Sequence, residues 1–220
     1  MTKLFSFILI VFLSLFSQDL FAQFKLDFGN ITKEQLSNKP YLPDPGADAI
    51  IISDIGVVTL NYGNEFYLEL ERDVRIRIVN SNGFDYADIE IPFSINDNLS
   101  KYRASSFNLR NGEKVETVIP KKSFIIEEST KYRKVLKFNF PDVHEGTVIE
   151  YSYIVKLKGE SIASLVPWVF QTSIPIENSS LIAAYPDFFT YKTIISGNPL
   201  LVKMKMTNRS QLFAGQYAKV

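Results

Sequence analysis

The 220-residue chain contains no cysteine, and it has one histidine and one tryptophan. Without cysteine the protein can form no disulfide, no thiolate metal site, no cysteine nucleophile and no lipid-modified N-terminal cysteine. Its stability must therefore come from packing and from backbone hydrogen bonds. The 24 basic residues are balanced by 24 acidic residues, so the chain lacks the basic excess typical of nucleic-acid-binding proteins. We therefore expect no nucleic acid among its partners.

A long apolar run lies at the beginning of the chain. Lys3 precedes residues 4–16, which are apolar apart from two serines, and a short polar step then leads to Ala22. This order is typical of a secretory signal peptide, with cleavage expected after Ala22. The run is shorter than the ~20 residues that a membrane-spanning helix needs, so we expect no membrane span after signal cleavage. The sequence predicts an exported protein that is periplasmic or extracellular.

The clearest periodic pattern lies in residues 66–78. Aliphatic side chains occupy most even positions, whereas charged side chains occupy most odd positions. Because successive side chains of a strand point to opposite faces, this pattern predicts a long strand with one buried and one solvated face. Arg72 breaks the apolar parity, which indicates a bend or bulge there. Farther along, Asn111-Gly112 between two alternating runs predicts a β-hairpin.

Similar runs recur every 8–12 residues or so, which is typical of an all-β protein with about a dozen strands. Residues 23–206 are therefore predicted to form one antiparallel β-sandwich, and residues 207–220 a tail with weak patterning. A short N-terminal helix is expected within residues 24–40, because Thr32 and Gln35 have capping-box spacing. Other expected elements are a turn at 54–56 between strands at 49–52 and 57–61, and late strands at 180–185, 191–196 and 200–206.

His144 is the first candidate for chemistry, because it is the one histidine of the chain. It could serve as the base of a nucleophile triad, but no Gly-x-Ser-x-Gly elbow accompanies it. It lies in the turn 141–146, where a structural or solvated histidine is the simpler interpretation. We assign no catalytic residue on this pattern.

Several carboxylate groups could hold a metal or act in catalysis, and each has a simpler explanation. Asp142 with Glu145, or Asp44 with Asp48, could bind calcium, but neither pair has the spacing of a calcium loop. One histidine without cysteine cannot build an ordinary zinc site. Three further carboxylates lie on the same predicted strand face as arginines, which favours a solvated face with cross-strand ion pairs over the two catalytic acids of a glycosidase. They are Glu69, Glu71 and Asp73. We therefore predict no metal and no cofactor.

A basic cluster and an aromatic cluster remain. The basic residues are offset by Glu127 and Glu128, so they are interpreted as exposed strand and turn positions; they are Lys121, Lys122, Lys131, Arg133 and Lys134. The aromatic residues could form a stacking platform for sugars, although aromatic residues of β proteins more often pack in the core. The candidate ligand-contact aromatics are Trp168, Tyr185 and Tyr191.

Several stretches taken together resemble one protein family. These are residues 28–32, 44–49, 71–78, 138–143, 145–153, 168–171 and 174–175. Over residues 24–191 the chain resembles the N-terminal region, called domain of unknown function 3857, of exported transglutaminase-like proteins of Bacteroidota. The resemblance implies an all-β domain that precedes a papain-like core with catalytic Cys, His and Asp. No catalytic residue carries over, because this chain has no cysteine.

The sequence therefore leads to two hypotheses. The first is a non-catalytic, exported β-sandwich accessory domain that binds or positions a partner or substrate at the cell envelope. The alternative is a carbohydrate- or cell-wall-binding module that uses exposed aromatic residues. The partner is accordingly an unidentified protein or glycan of the envelope.

Overall fold

A computed structural model describes residues 26–36, 38–158, 165–197, 205, 210–213 and 216–219. The predicted signal peptide, residues 1–22, lies outside them. Within the described ranges the chain forms eleven strands and two 3-10 helices, Ser81–Ala87 and Lys121–Ser123. The strands are β1 (Ala49–Tyr62), β2 (Phe66–Ile78), β3 (Asp88–Ser94), β4 (Asn98–Arg110), β5 (Glu113–Val118), β6 (Ile125–Thr130), β7 (Arg133–Asn139), β8 (Val148–Leu157), β9 (Ser179–Ala184), β10 (Ser210–Phe213) and β11 (Gln216–Lys219).

The strands form two main sheets that pack face to face. Six strands form the large sheet in the order β5-β4-β8-β2-β1-β9, and three form the small sheet in the order β3-β7-β6. β10 pairs with β11. The main buried cluster takes Val74 and Ile76 from the large sheet and Leu136 and Phe138 from the small sheet. The predicted all-β sandwich is therefore confirmed, with parallel pairing only between β1 and β9 among the described strand pairs.

β2 lies near the middle of the large sheet and confirms the long predicted strand. Its register against β1 and β8 runs without interruption through Arg72, so the bulge predicted there is wrong. The register shift lies instead on β1, between Ile51 and Ser53. Arg72 keeps the inward parity because its charge is neutralised by a carboxylate on β1, as described below.

The face of β2 that was expected to be solvated is buried over its second half. Asp73, Arg75 and Arg77 are 2%, 6% and 9% exposed. The N-terminal segment covers this region: Ile31 and Leu36 pack against the large sheet. Alternation along a strand reports which side chains share a face, but it does not report what lies over that face.

The short N-terminal helix is not formed among the described residues. The capping box itself is present, because the Thr32 amide donates to Gln35 Oε1 at 3.1 Å and the Gln35 amide donates to Thr32 Oγ1 at 3.4 Å. Residues 33–36 make a single turn that buries Leu36. Pro40 follows too closely for more turns, and helix nucleation needs several further hydrogen bonds to become favourable.

Two other local expectations are wrong and one is confirmed. The turn at 54–56 does not exist, since β1 continues through it, and residues 191–196 form no strand. Most of the strand expected at 200–206 lies outside the described residues. The hairpin at Asn111-Gly112 joins β4 to β5, with φ angles of 52° and 79° that suit a two-residue turn.

Candidate functional site

Trp168 lies over β1 and β2 of the large sheet. Its Nε1 donates to Ser179 Oγ at 2.9 Å, and the guanidinium of Arg72 lies 4.9 Å from its ring centroid. A Cβ built on Gly56 would fall 2.4 Å from Trp168 Cζ3. The glycine that had indicated a turn therefore provides the space in which the indole packs against the strand.

An ion pair between Arg72 and Asp54 lies beside the Trp168 indole. Arg72 donates from Nε and Nη2 to the two oxygens of Asp54, at 2.8 and 2.7 Å, and Asp54 is 1% exposed. Burial acts to lower the pKa of Arg72, but the hydrogen bonds to Asp54 and the electrostatic effects of Tyr153, Asp54 and Tyr151 together outweigh it, and the pKa is raised. Burial also raises the pKa of the neighbouring Tyr151 and Tyr153. These groups form a structural anchor for the aromatic ring.

Tyr185 and Tyr191 belong to a second group of rings, which we call the aromatic cluster. It comprises Tyr62, Phe66, Tyr185, Phe188, Phe189 and Tyr191. The Tyr185 and Tyr191 rings meet edge to face with centroids 4.8 Å apart. The pKa of Tyr191 is raised, mainly by burial and to a smaller extent by the nearby Tyr185. The structure thus brings two of the three predicted aromatic residues together, whereas Trp168 packs over Arg72.

The aromatic cluster is partly buried and partly open. Phe66, Tyr185 and Phe189 pack against the buried aliphatic residues of β1 and β2. Phe188 and Tyr62 are 60% and 49% exposed. Apolar surface of this kind, continuous with a buried core, is typical of interaction sites.

His144 has a structural explanation in its turn. Its Nε2 lies 2.9 Å from Asp142 Oδ1, and its backbone amide donates to Thr147 Oγ1 at 2.8 Å. The Asp142 carboxylate also binds Arg110, and the Asp142 carbonyl accepts from Asn108. Asp142 has a φ of 60°, which short polar residues tolerate best. These contacts hold the turn between β7 and β8 against β4.

A buried ion pair that sequence reasoning missed lies under the N-terminal segment. Arg75 Nη2 and Glu150 Oε1 are 2.9 Å apart on adjacent strands, and Glu150 is fully buried. The other Glu150 oxygen accepts the Gly29 amide at 2.8 Å, and Arg75 also donates to the Asp27 carbonyl. Burial raises the pKa of Glu150, against the opposing effects of the Gly29 amide and Arg75. The pair therefore joins β2 and β8 to the N-terminal segment.

Neither a metal centre nor a membrane-spanning helix is found in the part of the chain that the structure describes. Within those ranges, no three histidine, aspartate or glutamate side chains are grouped so that they could hold a metal ion. No described helix has the length and apolar character needed to cross a membrane.

Comparison with known proteins identifies the class. Residues 68–208 match the family described as a domain of unknown function with a solved structure, DUF3857. The match spans most of the chain, and the chain therefore belongs to this family. The resemblance stated from the sequence is confirmed. The matched range includes most of β2, all of β3 to β9, and four of the six rings of the aromatic cluster. No curated protein matches the chain.

A solved structure shares the fold. The chain is similar to a proposed protease of Parabacteroides distasonis, a member of the Bacteroidota, with a TM-score of 0.55 and 12% sequence identity. The similarity covers 78% of this chain and 34% of that protein. This chain therefore spans about a third of the length of its structural relative, and at this identity the likeness concerns the fold.

Proposed function

We propose that this chain is a non-catalytic accessory domain that is exported to the cell envelope, where it positions a protease- or transglutaminase-like partner. The observation that carries the proposal is the relation to the structural relative. The similar fold covers 34% of that proposed protease, so in the relative the sandwich is one part of a larger protein. The leader-like residues 1–22 support export.

The aromatic cluster is the surface that we assign to this partner. Phe188 and Tyr62 present exposed rings beside the buried half of the cluster, so a partner can extend the existing apolar packing. Aromatic side chains are enriched at protein interfaces because a few of them supply most of the binding energy. A folded polypeptide domain is therefore the occupant that we propose.

Two experiments test this function. The chain lacking residues 1–22 is assayed for amide hydrolysis and acyl transfer, and we expect no turnover above buffer. Robust turnover that is lost on His144→Ala would overturn the non-catalytic assignment. A photo-crosslinking residue is placed at position 188 in the native host, with position 116 on the exposed face of β5 as the matched control.

The crosslinking result discriminates between the partner classes. We expect position 188 to capture an exported protein with a protease- or transglutaminase-like domain, and position 116 to capture it much less. Equal capture at both positions, or the absence of any polypeptide adduct at position 188, would contradict the proposed docking surface.

A further inference from the structure

A second surface, which shares no residue with the aromatic cluster, lies on the small sheet. An open depression of about 420 Å³ is lined by Pro92, Phe93 and Ser94 of β3 and by Tyr132 and Arg133 at the β6–β7 hairpin. This volume lies within the range of ~300–1,000 Å³ that is common for small-molecule sites. The depression therefore has room for a small ligand.

The β6–β7 hairpin carries more positive than negative charge. Lys131, Arg133 and Lys134 make no ion pair with any residue that the structure describes. Lys137 on the same strand differs, because it pairs with Glu127 and, at 3.3 Å, with Glu90. Two carboxylates lie near these cations: Glu128 is opposite Lys134 in the β6–β7 ladder, and Asp97 accepts the Ser94 amide at 3.0 Å. The three basic side chains exceed them in number, which favours an anionic ligand there.

The hairpin also supplies an aromatic face. Tyr132 is 66% exposed, and the Lys131 ammonium lies 4.7 Å from its ring centroid. Phe93 lines the depression but is 9% exposed and belongs to the main buried cluster, while Ser94 carries a hydroxyl group. An apolar ring face, a polar hydroxyl and a cation suit a molecule that itself combines an apolar face with an anionic edge.

The backbone beside the depression disfavours an added peptide strand. β3 is one of the two edge strands of the small sheet, and Pro92 in its middle has no amide hydrogen to donate. An extended peptide that pairs with an edge strand needs such donors. A compact ring ligand does not need them, because it can use the side chains.

We propose that the depression beside the β6–β7 hairpin binds an acidic saccharide. In this arrangement Arg133 pairs with a carboxylate or sulfate group, and the Tyr132 ring stacks on the apolar face of the sugar. Lys131 and Lys134 add long-range attraction for the anion. This site is independent of the proposed docking by the aromatic cluster, which lies on the large sheet.

Titration calorimetry on the purified full chain tests the proposal. The probes are an oligogalacturonate, a heparin-derived oligosaccharide, a neutral malto-oligosaccharide and a short polyglutamate peptide. We expect both acidic saccharides to bind and the neutral saccharide to bind at least about tenfold more weakly, because the charge-assisted contact is lost. Polyglutamate is expected to bind at least about tenfold more weakly as well, because it offers no sugar face to Tyr132.

Matched variants locate the site. Lys131→Gln with Arg133→Gln removes two positive charges from the hairpin, whereas Lys101→Gln with Lys122→Gln removes two from exposed positions elsewhere. We expect the first pair to weaken binding of the acidic saccharides by about tenfold and the second by no more than about twofold. Tyr132→Ala should weaken it by about fivefold while the net charge is unchanged.

The opposite results would overturn the proposal. They are binding of neither acidic saccharide at about 5 mM, equal affinity for polyglutamate, or equal weakening by the two charge-matched pairs. Circular dichroism of each variant confirms that the exposed substitutions leave the fold intact.

Discussion

At the scale of single residues, the most consequential feature is the ion pair between Arg75 and Glu150. Both side chains are buried, so each relies on the other and on the N-terminal segment to offset its lost hydration. We expect Glu150→Leu to lower the free energy of unfolding by about 3–5 kcal/mol, because it leaves the Arg75 charge buried without its carboxylate. Urea denaturation followed by circular dichroism measures the loss.

Two comparisons separate charge from packing in that experiment. The double variant Arg75→Met with Glu150→Leu should recover much of the lost stability, since no lone charge remains. Glu113→Ala, which removes the exposed partner of Lys33, should cost no more than about 1 kcal/mol. A double variant as unstable as Glu150→Leu alone would show that shape, not charge, dominates.

A second residue-scale prediction concerns Gly56. A methyl group there would overlap Trp168, so we expect Gly56→Ala to destabilise the protein by about 1–3 kcal/mol and to shift the tryptophan emission. Because Trp168 is the one tryptophan, its fluorescence reports this contact directly. Gly46→Ala is the matched control, since its added Cβ would lie 3.7 Å from its nearest neighbour. Unchanged emission and stability in Gly56→Ala would contradict the described packing.

At the scale of elements, the N-terminal segment behaves as a cover for one face of the large sheet. Lys114 Nζ donates to the Gly29 carbonyl at 2.8 Å, and Arg103 lies 3.9 Å from the Phe28 ring centroid. Removing the first contact with Lys114→Ala should cost about 0.5–1 kcal/mol locally. Exchange of the Gly29 amide hydrogen should then become roughly two- to fivefold faster.

Hydrogen exchange measured residue by residue distinguishes local from global effects. In Lys114→Ala we expect the amides of β2 and β8 to exchange as in the unchanged protein, because their ladder is intact. Lys101→Ala is the matched control, because it removes an exposed lysine from β4, the strand next to β5 in the large sheet. Faster exchange throughout the sheet would show that the segment is part of the global core.

Elements were predictable from the sequence where the local signal agrees with the packing around it. The alternation of residues 66–78 predicts β2, and Asn111-Gly112 predicts the β4–β5 hairpin, because side-chain period and turn chemistry are local. The prediction of a turn at 54–56 was wrong because Asp54 and Gly56 serve contacts with residues distant in sequence: Asp54 pairs with Arg72, and Gly56 leaves space for Trp168. The buried Arg75 and Glu150 were missed for the same reason.

At the scale of the whole molecule, the all-β class was predictable but the partition of the strands was not. β2 and β3 are consecutive, yet they lie in different sheets, and β9 returns to the edge of the large sheet parallel to β1. Such connections depend on which faces must be buried together, and a single sequence does not display them. The residues of the site proposed at the β6–β7 hairpin form only a basic cluster in the sequence, and the pairing of β3 with β7 adds Pro92, Phe93 and Ser94 to them.

The arrangement of the two sheets leads to a final prediction about cooperativity. Leu136 is fully buried at the centre of the small sheet, whereas Trp168 lies over β1 and β2 of the large sheet. We expect Leu136→Ala to lower the free energy of unfolding by about 2–5 kcal/mol through the cavity it leaves. Because both sheets share one buried cluster, circular dichroism and tryptophan fluorescence should report the same shifted transition. Ile125→Ala at a 58% exposed position of β6 is the control and should change stability by no more than about 0.5 kcal/mol. A fluorescence transition that stays in place while the circular dichroism transition moves would mean that the region around Trp168 unfolds separately from the sandwich.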